Sequence, residues 1–176
     1  MLRTEQGYKG LMQKTELRKW AKEKRRAIKY DNNALCQKLQ ETLEYKQAKS
    51  VMIFYPLRDE VNLLSLLEDK SKNFYLPKID GENILCCPYG EELCESCFKT
   101  LEPLTEPCDK NIINLVVVPA LCCDRNNYRL GYGGGFYDRF LKDYTGKTAV
   151  CLPKELIVET IFPENHDVKI DLVIVA

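Results

Sequence analysis

No apolar run in this chain approaches the ~20 residues needed to cross a bilayer, which excludes a membrane-spanning helix bundle. The first residues, Met1-Leu-Arg-Thr-Glu-Gln6, hold no apolar signal region, so a soluble, cytoplasmic protein is expected. Net charge is missing too. With 26 Lys and Arg against 26 Asp and Glu, the molecule as a whole has no electrostatic reason to coat nucleic acid or an anionic membrane. Histidine is down to His166 alone, and one imidazole in a loop reads as a hydrogen-bonded structural group rather than a general base. Repeats and low-complexity linkers are lacking, so the 176 residues form one domain, with 1–12 as a loose N-terminal extension. A chain of that size buries roughly 70% of the surface it exposes when unfolded.

Cysteine, by contrast, is plentiful. Nine are present, including the pairs Cys86-Cys87 and Cys122-Cys123 and one C-x-x-C at Cys94 and Cys97. An odd count without a secretory signal argues for reduced thiols rather than a disulfide framework. A zinc site using Cys94, Cys97 and one of Cys86, Cys87 or Cys108 is conceivable, but the second C-x-x-C of a zinc ribbon is absent. Small buried hydrophobic side chains are the expectation.

The stretch with the most to say is Arg129-Leu-Gly-Tyr-Gly-Gly-Gly-Phe-Tyr-Asp-Arg139, four of whose glycines fall within five positions. Backbone without Cβ atoms can lie close against a ligand. Upstream, Leu115-Val-Val-Val-Pro119 reads as a buried strand; downstream, Phe136, Tyr137, Phe140, Leu141 and Tyr144 trace one helical face. Strand, polar turn, glycine loop and helix N-terminus make an arrangement suited to phosphate or carboxylate. No Gly-Lys-Ser/Thr closes the loop, so it is not a Walker A sequence, and Phe136 stands where a dinucleotide fingerprint needs its third glycine. Arg129 and Arg139 bracket the loop with guanidinium groups, and Asp138 offers a hard oxygen suited to magnesium.

Elsewhere the chain alternates. A basic helix over 14–29 carries eight Lys or Arg against two Glu, and Lys14 and Arg18, four apart, share a face while the other six read as surface. A helix over 31–48 and a short one over 61–70 are expected, with strands over 51–55, 73–77, 148–152 and 172–175, and between Asp80 and Pro107 two extended segments joined by Gly90-Glu-Glu, a hairpin or an excursion. Such alternation predicts an α/β fold: a mostly parallel open sheet with helices on both faces, a three-layer, Rossmann-like sandwich. The polar loop Pro56-Leu-Arg-Asp-Glu60 follows a strand at the edge where such sheets place their ligands.

At these residues the sequence resembles the 5-formyltetrahydrofolate cyclo-ligases, also called 5,10-methenyltetrahydrofolate synthetases, over Lys14 to Asp171. The resemblance implies an ATP- and magnesium-dependent ring closure of 5-formyltetrahydrofolate to the 5,10-methenyl form, by phosphorylation of the formyl oxygen and attack by nitrogen-10. It implies nucleotide contacts from Lys14, Arg18, Arg129, Leu130, Gly131, Tyr132, Gly133, Gly134, Gly135, Phe136 and Tyr137, with Lys14 and Arg129 catalytic. It also implies folate contacts from Tyr55, Glu60 and Tyr132 to Phe136, and magnesium on Asp138 and Asp171. Phe136 stands where tyrosine is usual in that family, and Cys122-Cys123 where a small and an aromatic residue are usual. The implied partners are ATP and 5-formyltetrahydrofolate, polyglutamylated forms included, acting on a monomer with no nucleic acid or membrane. Two rival readings of the residues stand beside it: a sugar-phosphate isomerase-like enzyme that consumes no ATP, and a nucleic-acid module built on the basic helix.

Magnitudes rank the expected contributions. At an effective dielectric near 20, a charge about 4 Å from a phosphate contributes about 4 kcal/mol, against ~0.3–1 kcal/mol for a helix N-terminus. The cations set affinity and the glycine loop sets position.

Overall fold

The computed structural model describes residues 13–90 and 92–176, so the expected N-terminal extension lies outside the described residues. In chain order the helices are α1 (Lys14–Ala27), α2 (Asn32–Glu41), α3 (Leu43–Gln47) and α4 (Phe136–Leu141). The strands are β1 (Ser50–Met52), β2 (Asn73–Asp80), β3 (Asn83–Pro88), β4 (Leu93–Glu95), β5 (Leu101–Pro103), β6 (Leu115–Val117), β7 (Cys122–Asp124), β8 (Arg129–Leu130), β9 (Lys147–Leu152), β10 (Ile157–Val158) and β11 (Leu172–Val175). Six of them form one sheet in the order β11-β9-β6-β1-β2-β3, parallel throughout except for β3.

Successive strand residues point to opposite faces, and the apolar runs are long enough to feed both. Met52, Val116, Val150 and Leu152 join Leu17 and Ala21 of α1 and Phe140 and Leu141 of α4 in one cluster. Val51, Leu115, Val117, Ala149 and Cys151 join Leu35 and Leu39 of α2 and Tyr45 of α3 in the other. The result is the expected three-layer sandwich. No described helix is long and apolar enough to cross a membrane.

Local departures from the sequence reading have local causes. The expected helix over 31–48 breaks at Thr42, whose extended backbone and hydroxyl, accepting from Tyr45 N at 3.2 Å, start α3 afresh. The one expected over 61–70 is only a 3-10 turn, Leu64–Glu68. β2 runs on through Pro77 because β1 has already ended at the Met52–Tyr75 pair, and the missing N–H breaks no ladder there. In place of one hairpin or excursion turning at Gly90, the stretch after Asp80 makes two hairpins, β2–β3 turning at Gly81 with φ +60° and β4–β5 turning at Ser96–Thr100. Between β6 and the first glycine of the stretch the chain also forms β7 and β8, and β7 lies between β10 and β8 in a small second sheet.

The largest revision concerns α1. Leu17, Ala21 and Arg25, four apart, form its buried face, so Arg25 is not the surface cation its composition suggests. Its guanidinium donates to the carbonyls of Ala120 and Leu121 at 2.5 and 3.2 Å, while Nε has no partner. Those carbonyls belong to the turn between β6 and β7, which Arg25 pins to α1. Arg25→Ala strips their donors and empties the space of the stem, and is expected to cost about 2–4 kcal/mol in urea unfolding. A variant as stable as the parent would show that this staple carries no weight.

Candidate functional site

Reading outward from β1, the chain goes to β2 and β3 on one side and to β6, β9 and β11 on the other. Loops after β1 and β6 therefore diverge and leave a crevice at the carboxyl ends of the strands, where sheets of this kind bind ligands. A cavity of about 800 Å³ lies there. The β1 loop brings Tyr55 and Glu60 to it, the β6 loop Pro119, α1 Lys14 and Arg18, and the glycine stretch everything from Arg129 to Asp138.

The glycine stretch is laid over cations. Arg18 Nε donates to the Gly131 carbonyl at 3.0 Å, and a Cβ built on Gly133, where φ is +105°, would stand 3.4 Å from the same guanidinium. Arg129 is 5% exposed beneath the loop, donates to Asp138 Oδ1 at 3.2 Å and keeps Nε unpartnered. A buried guanidinium with spare donor capacity at a cavity wall is ready for an anion. The loop closes at Gly135 in the left-handed region, φ +68°, which caps the six-residue α4. So short a helix adds little dipole, so the cations outweigh it. Arg139 leaves this group: it donates to the Glu82 carbonyl in the β2–β3 turn and does not line the cavity.

Lys14 sits between two carboxylates that the sequence reading passed over, with Nζ 2.5 Å from Asp167 and 3.0 Å from Glu164. Burial opposes its charge, but the hydrogen bonds and charges of Asp167 and Glu164 outweigh that, and its pKa is raised. Burial likewise opposes ionised Asp167, yet the Lys14 bond and the Glu164 amide hold its carboxyl below the usual range. His166 lies at the same rim, 3.8 Å from each of Glu164 and Asp167.

Asp171 requires a correction. It accepts from Thr148 N at 2.9 Å and from the Thr148 hydroxyl at 2.8 Å, at the amino ends of β9 and β11. That is the opposite edge of the sheet, outside the cavity lining, so it makes no pair with Asp138. Asp167, four residues earlier in His166-Asp-Val-Lys-Ile-Asp171, is the acid that reaches the cavity with Asp138. Both acids precede the last strand, and only the depth at which the chain crosses the sheet edge separates them.

Glu60, which also lines the cavity, is 8% exposed, accepts from Leu57 N at 2.7 Å and interacts with the Tyr132 hydroxyl of the glycine stretch. Burial pushes its carboxyl above the ordinary range in spite of that bond. Tyr132 is pushed up as well, by burial and by the Glu60 charge, so its hydroxyl stays protonated. Tyr55 is half-buried beside them. The apolar rim comes from β2, β3 and the β4–β5 hairpin, with Ile79, Ile84, Phe98 and Leu101, none of which sequence spacing singled out.

Six of the nine cysteines are buried, Cys94 and Cys108 are half-buried and Cys97 is exposed. Burial pushes Cys122 up to about 12 and raises Cys86, Cys123 and Cys151 also, so these thiols are neutral and poorly nucleophilic. No set of three or more metal-ligating side chains gathers among the described residues.

Comparison with known proteins follows the same lines. The model of the 5-formyltetrahydrofolate cyclo-ligase family matches residues 10–176. A 5-formyltetrahydrofolate cyclo-ligase of Mycoplasma pneumoniae is 25% identical over 170 residues, covering 93% of this chain and 98% of its own. A probable 5-formyltetrahydrofolate cyclo-ligase of Schizosaccharomyces pombe is 24% identical over 166 residues, covering 80% of this chain and 81% of its own. Among solved structures, the 5,10-methenyltetrahydrofolate synthetase of Aquifex aeolicus superposes with a TM-score of 0.83 at 28% identity, covering 93% of this chain and 90% of that one.

Proposed function

The chain belongs to the 5-formyltetrahydrofolate cyclo-ligase family, and from that premise we propose that it converts 5-formyltetrahydrofolate to 5,10-methenyltetrahydrofolate with ATP as phosphoryl donor. One observation carries the reading. A single cavity is lined by three cations and a glycine loop, Lys14, Arg18 and Arg129 with Gly131 to Gly135, and by a buried carboxylate, Glu60.

The formyl oxygen on nitrogen-5 attacks the γ-phosphorus and ADP leaves. Nitrogen-10 then adds to the activated formyl carbon, its proton passes to the departing phosphate, which leaves with the former formyl oxygen, and the methenyl bridge closes. Such a transfer needs alignment and charge neutralisation rather than a protein nucleophile, in keeping with the neutral buried thiols. Lys14, Arg18 and the spare donor of Arg129 neutralise the phosphates, and the loop amides from Gly133 to Gly135 fix where they lie. Glu60 accepts from the N–H edge of the pterin while Tyr55 packs against it. The apolar rim keeps water from the phosphorylated intermediate.

Asp138 and Asp167 suit magnesium: both are hard oxygen donors at one cavity, each already beside a cation, and magnesium is held by one or two carboxylates plus phosphate oxygens. When bound it would supply further charge neutralisation at the phosphates. Asp167→Asn is expected to raise the magnesium concentration for half-maximal rate about tenfold. Asp171→Asn should leave that midpoint unchanged and cost about 1–2 kcal/mol of stability instead, by weakening the hold on Thr148. The reverse pattern would restore Asp171 to the site.

The test of the reaction itself mixes protein, magnesium-ATP and 5-formyltetrahydrofolate and follows the near-ultraviolet absorbance of a methenyl product together with ADP. Both should appear in step. Phosphate-ester binding with neither would favour an isomerase-like enzyme. The basic helix offers less to nucleic acid than its composition promised, because Lys14, Arg18 and Arg25 are all turned inward.

A further inference from the structure

The β4–β5 hairpin contributes Phe98, Thr100, Leu101 and Glu102 to the cavity, and the chemistry above uses it only to exclude water. Phe98 is 51% exposed, a large apolar side chain left open at the tip of a turn. The turn is heavily fixed. Ser96 N donates to Thr100 O at 2.8 Å, the two hydroxyls meet at 2.8 Å, and Phe98 N donates to Ser96 Oγ at 3.2 Å. Lys99, just after it, is held at φ +60°, a conformation that costs a side-chain-bearing residue free energy and persists only where its surroundings impose it. At the base of the hairpin the buried Glu102 accepts from Ile79 N at 3.1 Å and ties β5 to β2. Phe98 is thus aimed rather than loose. Its ring meets Phe136 of the glycine stretch at 5.9 Å and 80°, edge to face, so hairpin and phosphate loop share one aromatic corner.

We propose that Phe98 is a substrate-positioning residue whose open face stacks on the p-aminobenzoyl ring of the folate and thereby sets nitrogen-10 against the activated formyl carbon. The proposal rests on the cyclo-ligase reading above. The chemistry selects this ring over the other candidates. The pterin is rimmed with N–H and C=O groups that need partners, which Glu60 offers; the Phe98 ring meets the Phe136 ring, and the polar groups of the hairpin are already engaged, Thr100 with Ser96 and Glu102 with Ile79 N. The p-aminobenzoyl ring is flat, apolar on both faces and bonded directly to nitrogen-10, so holding it restricts rotation about the bond that must be oriented for closure. Edge contact with Phe136 couples that hold to the loop that positions the phosphates.

The experiment compares Phe98→Ala and Phe98→Trp with the parent. Phe98→Ala is expected to raise KM for 5-formyltetrahydrofolate about tenfold and to lower kcat, because nitrogen-10 is less well placed, with KM for ATP unchanged. Inhibition by p-aminobenzoylglutamate should weaken about tenfold while inhibition by a tetrahydropterin lacking that ring stays as in the parent. Phe98→Trp, which keeps an aromatic face, should restore both constants. Unchanged p-aminobenzoylglutamate inhibition in Phe98→Ala, an equal loss of both fragments, or a Trp variant as poor as Ala would overturn the proposal. Thermal unfolding of each variant separates these outcomes from misfolding. If the parent itself forms no methenyl product, the cyclo-ligase reading fails; if the parent is active and the fragments bind Phe98→Ala normally, only the role of Phe98 fails.

Discussion

Gly134→Val is expected to lower kcat/KM by about 10²- to 10³-fold while the protein stays folded. The reason is steric and local. A Cβ built at Gly134 would lie 2.7 Å from two ring carbons of Phe136, closer than real contacts allow. Phe136 cannot simply swing away, because it opens α4 and its ring is met by Phe98. The loop must therefore lift, and its neighbour Gly133, which lies against the Arg18 guanidinium, moves with it. A displacement of about 1 Å in the groups that align a phosphoryl transfer is enough for losses of this order. Gly134 itself is exposed and belongs to neither core cluster, so the melting temperature should barely change. Initial rates of methenyl formation beside a thermal melt make the check; a folded variant within a few-fold of the parent would remove the loop from the phosphate site.

Glu60→Gln should separate stability from recognition. The buried Glu60 carboxyl has a folded-state pKa raised above its ordinary value of 4.5. The folded protein therefore holds this proton more tightly than the unfolded chain. Ionised Glu60 costs stability above the raised pKa, and the cost fades as pH falls through it. Glutamine carries no charge and can still accept from Leu57 N, so near neutral pH the variant should melt at or above the parent temperature. The advantage should shrink as the medium is acidified toward pH 4.5. Recognition moves the other way. Loss of the charged acceptor for the pterin edge should raise KM for 5-formyltetrahydrofolate about 30- to 100-fold and leave KM for ATP alone. In the parent, that KM should climb as pH falls through the raised Glu60 value, and in the variant the same range should be flat. A variant with parental KM would mean that Glu60 is only a turn-forming acid.

These two sites differ in how legible they were. The glycine stretch could be singled out from residue type and spacing because it is one continuous segment, where local geometry follows from sequence, whereas Lys14 and Arg18 were picked from eight cations by the family resemblance. Glu60 was placed at the right edge of the sheet by the strand before it, yet its burial and raised pKa depend on what packs over it. The strands were found where apolar runs were long, and their ends were missed where pairing, not propensity, decides: β1 stops early and β2 passes through Pro77.

The amino-acid sequence by itself determined the alternation that makes a three-layer α/β sandwich, the family, and the place of the glycine loop after a buried strand and before a helix. Each is carried by residues near one another along the chain, and periodicity or a contiguous motif records such neighbours faithfully. Only the tertiary structure decided that Asp167 and not Asp171 faces Lys14, that Arg25 is a buried staple, that Arg139 turns away, and that Phe98 closes the cavity against Phe136. Those pairings join residues tens to more than a hundred positions apart, and which side of the sheet edge an acid or a ring lands on depends on strand register and on the course of two hairpins. Register is settled by the packing of both sheet faces at once, and no short window of sequence contains that information.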